Sequence, residues 1–440
     1  MSELKEKILY ELGFTYAGLS GKTQKDFGRG KPFIPFMNIM SNGKIDPKFL
    51  NYVDVASNEN QNAVQIGDLF FTTSSETPEE VGMTSVLLED IGVCYLNSFC
   101  FGFRLYNFDD LLPEFAPYLF RGNEVRKQII NLGQGYTRFN LPKTELLKKL
   151  KLNLPSIPEQ RKISKILTTA DSIIEKTQAT IAKYKVIKLG ILQDLFTRGI
   201  DININKLRPL CEDAPHLYKE SKLGWIPIEW EVDKMEKYVS FLRSGLSRLL
   251  SDEDIGIPVL ISGNIQESHL DCTNLKYWYL DDPQGADTNS YKLTIGDILI
   301  CFINSLDQIG KSAIFEGFKR DVIYTTNLLR MQASKNTNSR FLFFLLNSSI
   351  IQNELHTIVK PAVNQASFTT KDFLKIPVPK IPENEQNIIA EKLTSIDKTI
   401  DTEQTYLQKM QLLKKGLMED LLSGKKKVKV AEELVTQNEN

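Results

Sequence analysis

Cysteine and histidine are scarce: the 440 residues hold five cysteines and three histidines. Cys94, Cys100, Cys211, Cys272 and Cys301 form no C-x-x-C pair, and His216, His269 and His356 are scattered. A tetrahedral metal site therefore has no local scaffold, and no metal ligands are assigned. Long apolar runs are missing too, and Met1-Ser2-Glu3-Leu4-Lys5 is unlike a secretory leader, so the cytoplasm is the expected location. Net charge is −1, which gives no global basic signature for nucleic acid.

Nucleotide-binding loops are missing as well. Gly21-Lys22-Thr23 has the ending of a phosphate-binding loop, but Tyr16 stands where its first glycine is required. Gly28-Arg29-Gly30 lacks the third glycine of a dinucleotide fingerprint, because Phe33 occupies that place. Both segments read as loops.

What is present is a repeat. Leu154-Pro155-Ser156-Ile157-Pro158-Glu159 returns as Val378-Pro379-Lys380-Ile381-Pro382-Glu383, and after a two-residue insertion the match continues at a constant offset of 226. Ile163, Leu167, Thr168, Asp171, Gly190, Asp194 and Leu195 fall on Ile389, Leu393, Thr394, Asp397, Gly416, Asp420 and Leu421. Copies this far apart mean a chain of two similar halves. Length allows two or three domains with substantial cores, and 42% apolar with 25% charged residues is the balance of a folded soluble protein.

The repeated segments read as helices of about 40 residues, roughly 60 Å long. Pro158 and Pro382 stand where a first-turn proline is tolerated, acidic residues follow, and Gly199 and Gly424 lie just past the last apolar positions. A 3.5-residue apolar repeat runs through Ile163, Leu167, Ile174, Ile181, Ile191 and Leu195, and again through Ile389, Leu393, Ile400, Leu407, Leu417 and Leu421. Such a stripe is a coiled-coil seam. It is interrupted at Thr177/Glu403 and Lys188/Lys414, and polar seam positions commonly fix register and partner number. One such helix alone would leave its stripe in water, so the two copies are expected to pack on each other.

Before each helix lie about 150 residues of strand-like patterning, and these regions also match. Asn38-Ile39 corresponds to Asn264-Ile265, Ile66 to Phe71 corresponds to Ile295 to Ile300, and Phe115 to Phe120 corresponds to Phe341 to Leu346. The order is globule, helix, globule, helix. The expected bounds are 1–155 and 222–377 for the globules, 156–200 and 378–424 for the helices, 201–221 for a linker and 425–440 for a polar tail. Only the second globule opens with Gly224-Trp225-Ile226-Pro227-Ile228-Glu229-Trp230. Asp68 and Asp297 follow glycine in the paired I-G-D elements, where a turn enters an apolar strand.

These residues resemble the specificity subunit of type I restriction-modification enzymes. The likeness rests on the two globules, the G-x-I-P-x-x-W opening, the I-G-D-[LI] element in both halves and the P-x-[IL]-P-E lead-in to each helix. The resemblance implies an α+β fold: two mixed α/β target recognition domains, joined by two long helices in an antiparallel coiled coil with pseudo-two-fold symmetry. It further implies that each globule reads half of a bipartite site on double-stranded DNA. Two methyltransferase subunits would bring S-adenosylmethionine, and two motor-nuclease subunits using ATP and Mg would attach through them. No N-P-P-[YF], D-P-P-Y or G-x-x-x-x-G-K-[ST] segment occurs, so this chain is expected to recognise DNA without modifying or cutting it and to bind no cofactor itself.

Candidate DNA contacts are polar and basic residues on predicted loops. In the first globule they are Lys22, Thr23, Lys25, Arg29 and Lys31, then Gln134, Tyr136 and Arg138. In the second they are Arg243, Ser247, Arg248, Lys311, Asn364 and Gln365. Arginine grips guanine bidentately, glutamine and asparagine grip adenine, and lysine holds phosphate. Residues 143–198 carry 12 Lys/Arg against 5 Asp/Glu, a surplus that serves equally a solvated helix face or a phosphate-binding strip. Two other readings stand beside this one: a coiled-coil DNA-binding repressor or scaffold without enzyme partners, and a nuclease whose active site is unrecognised.

Overall fold

The computed structural model describes residues 4–266, 269–363 and 365–429. Helices and strands are mixed, and the chain divides into two compact units: residues up to Gln178 with those from Thr405 onward, and Ala179–Gln404. Two long helices, α1 (Ile157–Thr197) and α2 (Glu383–Leu422), each give one segment to each unit.

The first unit is built on an antiparallel sheet in the order Gly13–Ala17, Cys100–Leu105, Leu69–Thr72, Thr84–Val86. A second sheet joins Asn51–Val53, Phe27–Ile34 and Tyr95–Leu96, the last pairing parallel. Lys5–Ile8 pairs with Lys151–Leu154 just before α1. The second unit repeats this plan. Its main sheet runs Val239–Ser244, Leu328–Ala333, Ile298–Cys301, Ser312–Ile314. Its smaller sheet runs Lys276–Trp278, Ile257–Leu260, Ile323–Tyr324, and Glu231–Lys234 pairs with Pro377–Lys380 just before α2.

Aromatic side chains make the cores. In the first unit Phe71 stacks on Phe101 at 5.2 Å and meets Phe120 edge-on at 5.5 Å. In the second, Phe341 packs between Phe196 and Tyr238. Phe115 to Phe120 and Phe341 to Leu346 are buried throughout. Each such side chain removed from water contributes about 1.5–3 kcal/mol.

The helix segments close these cores. In the first unit Ile163 and Leu167 share a core with Leu421, Leu417 packs against it, and Asp171 pairs with Lys414. Residue numbers rise along one segment as they fall along the other, so the two run in opposite directions. In the second unit Leu192 and Leu195 share a core with Ile389 and Leu393, and Lys188 pairs with Asp397, which again sets the segments in opposite directions. The seam positions Ile163, Leu167, Ile181, Leu195, Ile389, Leu393, Ile400 and Leu421 are buried, while Ile174, Ile191, Leu407 and Leu417 are half-buried. Thr177 is buried with its hydroxyl satisfied by the Ile173 carbonyl at 2.8 Å.

The helix ends follow from local chemistry. Ser156 donates to the Glu159 carboxylate from both its amide, at 3.0 Å, and its hydroxyl, at 2.7 Å, and so caps α1. Gly199 and Gly424 take φ of 66° and 72°, a conformation that stops a helix at little cost only for glycine.

The structure details three of the expected segments. The stretch from 378 is strand until Lys380, because Pro377–Lys380 has a partner in Glu231–Lys234, and α2 starts at Glu383. The segment 201–221 is no free linker: it forms short paired strands, and its Arg208 is buried against Glu385 at 2.6 Å. Of the tail, Lys426 pairs with Asp420 at 2.7 Å, and residues 430–440 lie outside the described part.

Candidate nucleic-acid interface

The paired I-G-D elements act as anchors. The Asp68 carboxylate accepts from Arg104 at 2.8 and 2.7 Å, from the Tyr16 hydroxyl at 2.6 Å and from the Gln65 amide at 2.7 Å. Asp297, its counterpart, lies 2.8 Å from Arg330 and accepts from Gln332 at 2.8 Å and from the Thr294 amide at 2.7 Å. Gly67 and Gly296, at φ 89° and 92°, make the turn that precedes each. Burial raises the Tyr16 phenol well above its ordinary value, so it stays a donor. Both carboxylates are saturated by structural partners, and neither is placed for catalysis.

Other polar groups in the two units also serve as anchors. Buried Asn38 donates to the Asp46 and Phe49 carbonyls, and buried Asn264 to those of Asp271 and Asn274. Gln160 ties α1 to its globule through the Leu112 amide at 2.9 Å, and Gln386 ties α2 through the Asn338 amide at 3.3 Å. Arg121 donates to the Thr84, Ile39, Met40 and Asn42 carbonyls, and burial lowers it to about 10. Burial pushes the Cys94 and Cys100 thiols up to about 12, so neither is a nucleophile at neutral pH. Among the described residues no group of three or more His, Cys, Asp or Glu could hold a metal ion.

The candidate contacts divide into committed and available side chains. Lys22 is committed: it pairs with Glu59 at 2.5 Å and its side chain is only 7% exposed, so it does not present its charge to phosphate. Arg248 is committed as well, gripping Asp282 through Nε at 3.0 Å and Nη2 at 2.6 Å, and this forked bond uses the edge guanine would need. Thr23 caps a short turn, its hydroxyl donating to Asp26 at 2.8 Å.

Available side chains remain in both units. Lys25 and Lys31 are exposed without an acidic partner among the described residues, and exposed Arg29 has Asp54 no nearer than 3.6 Å. Gln134 is exposed, Tyr136 is 99% exposed, and Arg138 is exposed but steadied by the Ser74 hydroxyl at 2.9 Å. Arg243 lies over the Tyr291 ring at 4.4 Å, Ser247 and Gln365 are exposed, and Lys311 bonds Gln308 at 2.6 Å. Asn364 lies outside the described residues. Of the basic surplus on α1, Arg161, Lys165 and Lys176 are exposed with no acidic partner among the described residues.

Two of these groups occupy one place in the repeated plan. Phe139–Asn140 pairs with Ser74–Ser75 in the first unit, and Ala366–Ser367 pairs with Ile303–Asn304 in the second. The loops entering these strands carry Gln134 to Arg138 in the first unit, and Val363 and Gln365 in the second. Val363, 99% exposed, was not among the sequence candidates.

Comparison with known proteins agrees with this duplicated plan. A family model described as the type I restriction modification DNA specificity domain matches residues 19–183 and again 247–412, well over half of the chain. The protein described as the MjaX specificity subunit of a type I restriction enzyme from Methanocaldococcus jannaschii is 35% identical over 209 residues, covering 47% of this chain. That match spans 48% of the relative, about half its length. The MjaVIII specificity subunit of the same organism is 25% identical over 325 residues, 71% of this chain and 70% of that one. Among solved structures, the type I restriction-modification S subunit from M. genitalium shares the fold with a TM-score of 0.53, 13% identity and coverage of 95% of both chains.

Proposed function

Because the chain belongs to the type I restriction-modification DNA specificity family, we propose that it is the DNA-recognition subunit of such a complex. Each unit reads one half of a bipartite site on double-stranded DNA, through recognition domains spanning about 1–155 and 222–377. The two long helices form one antiparallel coiled coil whose length sets the spacing of the half-sites, since readers on one duplex must be held at a fixed separation and a rigid rod does this better than a flexible linker. Two methyltransferase subunits carrying S-adenosylmethionine dock on the outer faces of the helices, where a duplicated chain offers two equivalent sites. Two motor-nuclease subunits using ATP and Mg attach through them. This chain performs no catalysis and works in the cytoplasm.

The observation that carries the reading is the duplicated family domain on two units of equivalent topology, each closed by one segment from each long helix. Among the described residues no helix is long and apolar enough to cross a membrane. Lys25, Arg29, Lys31, Gln134, Tyr136 and Arg138 are assigned to one half-site, and Arg243, Ser247, Lys311 and Gln365 to the other. The test is to map modified adenines in cells that hold this chain with its methyltransferase partner and in cells that hold the methyltransferase alone. The expected result is one motif of two specified segments around an unspecified spacer, present only with this chain. Methylation without sequence preference in both would overturn the proposal.

A further inference from the structure

We propose that Arg161, Lys165 and Lys176 on the first half of α1 form a strip that holds backbone phosphates of the bound duplex without regard to sequence, and that α2 has no equal to it. The inference rests on the DNA-recognition reading above and extends it to a surface outside the residues given to either half-site.

Charge is where the two copies part. Residues 143–198 carry 12 Lys/Arg against 5 Asp/Glu, whereas their counterparts, residues 369–424, carry 8 against 9. A basic helix face is by itself an ordinary solvated surface. Here, however, three of its cations are gathered on one side. The steps of four and eleven residues between Arg161, Lys165 and Lys176 come close to whole turns, so the three lie along a line of about 22 Å. They line one groove of about 750 Å³ in the first unit, with Leu112 and Glu114 on its globule side. All three are exposed with no acidic partner among the described residues, and Glu114 is the one carboxylate in the lining. At the offset of 226 stand Asn387, Glu391 and Thr402, so the second copy keeps the helix and loses each of these charges.

That inequality selects the ligand. Two copies of one partner protein require two equivalent sites on a duplicated chain, and this strip is written once. A duplex is a continuous row of phosphates, so a single strip along it serves without a twin. Lysine and arginine that lack carboxylate partners are the side chains that neutralise phosphates and release their condensed counter-ions. The first globule leans the same way. The parallel pairings of Ile34 with Leu96 and of Leu260 with Tyr324 set Arg29 and Lys31 against Ile255 and Ile257, so these cations of the first half-site also have no basic counterparts. The first half of the chain therefore carries the larger, salt-sensitive share of the grip on DNA.

The test uses the full chain in complex with its methyltransferase, as wild type, as Lys165→Gln and as the triple variant Arg161→Gln, Lys165→Gln, Lys176→Gln. The three side chains are exposed and glutamine is a good helix former, so the variants keep the fold. Binding to a duplex carrying the mapped site is measured from about 50 to 200 mM salt. Each phosphate contact contributes about 0.9 to the slope of log affinity against log salt, so the slope should ease by about 0.9 in the single variant and about 2.7 in the triple. The deficit of the triple variant should accordingly shrink about 40-fold across that range, with the methylation map unaltered. Equal slopes for wild type and triple variant overturn the inference. An altered methylation motif also overturns it, since the strip would then read bases, as does loss of co-purification with the methyltransferase, since the strip would then be a protein contact. Wild type sets the control: site-specific binding with equal slopes defeats only this inference, whereas no site-specific binding by wild type defeats the recognition reading itself.

Discussion

Lys188 and Asp397 face each other at 2.5 Å across the two helix segments of the second unit, and Lys414 pairs with Asp171 across the segments of the first. These are one pair written twice, since each residue has its counterpart 226 positions away. Lys188 also lies 5.6 Å from the Phe344 ring, as Lys414 lies 5.9 Å from the Tyr118 ring. The two pairs differ in that the Tyr118 hydroxyl donates to Asp171 at 2.7 Å, whereas Phe344 carries no hydroxyl.

The burial of Asp397 makes this pair testable. Burial holds its carboxyl above the ordinary carboxylate range despite Lys188, so the folded protein binds this proton more tightly than the unfolded chain. Its contribution to stability must then fall as pH rises upward from about 4. Lys188→Met should cost about 1–3 kcal/mol by leaving the carboxylate unpaired, and adding Asp397→Asn should recover most of that loss. Chemical denaturation of the two single variants and the double variant checks the cycle. Additive losses would show that the two residues do not act as a pair.

Glu385 anchors the start of α2 in the second unit. It is 1% exposed and accepts from Arg208 at 2.6 Å, from the Ile200 amide at 2.6 Å and from the Trp230 indole at 3.0 Å. Glu385→Ala should cost about 3–5 kcal/mol, because buried Arg208 keeps only the exposed Glu229 carboxylate and the Ile200 amide and Trp230 indole lose their acceptor. Glu159, which precedes Gln160 as Glu385 precedes Gln386, caps Ser156, and Glu159→Ala should cost only about 1 kcal/mol. Denaturation midpoints of the two variants would settle the contrast, and equal losses would refute it.

Asp282 is held down to about 2, first by the hydrogen bonds from Arg248. A depressed carboxylate stabilises the fold fully above its unfolded value, about 4, and loses that contribution as pH falls toward its folded value. The stability difference between wild type and Arg248→Ala should therefore be constant near neutrality and shrink between about pH 4 and pH 2. A difference independent of pH in that window would mean the two groups are not coupled.

The long helices were legible because a 3.5-residue stripe survives with no knowledge of its partner: every seam position from Ile163 to Leu421 is buried or half-buried. The interruptions at Lys188 and Lys414 were legible as polar positions, but their acids lie 209 and 243 residues away and could not be assigned from spacing. The same limit governs the candidate contacts. Lys22 and Arg248 read as exposed cations on loops, and only the fold brings them Glu59 and Asp282. Segment 201–221 looked like a linker because it lacks apolar period, yet Arg208 ties it to Glu385, 177 residues distant in sequence, and to Glu229. Local pattern reports what a segment buries against itself or along a stripe, whereas a polar partner far along the chain leaves no trace in it.

The proposed function requires the two long helices to act as a ruler between two readers. The direct test removes one heptad from each helix in step, residues 176–182 and 402–408, and maps the methylated site of the shortened chain with its methyltransferase partner. The predicted result is a site with both half-sequences intact and a shorter spacer. An unchanged spacer in a folded and active shortened chain would contradict the account.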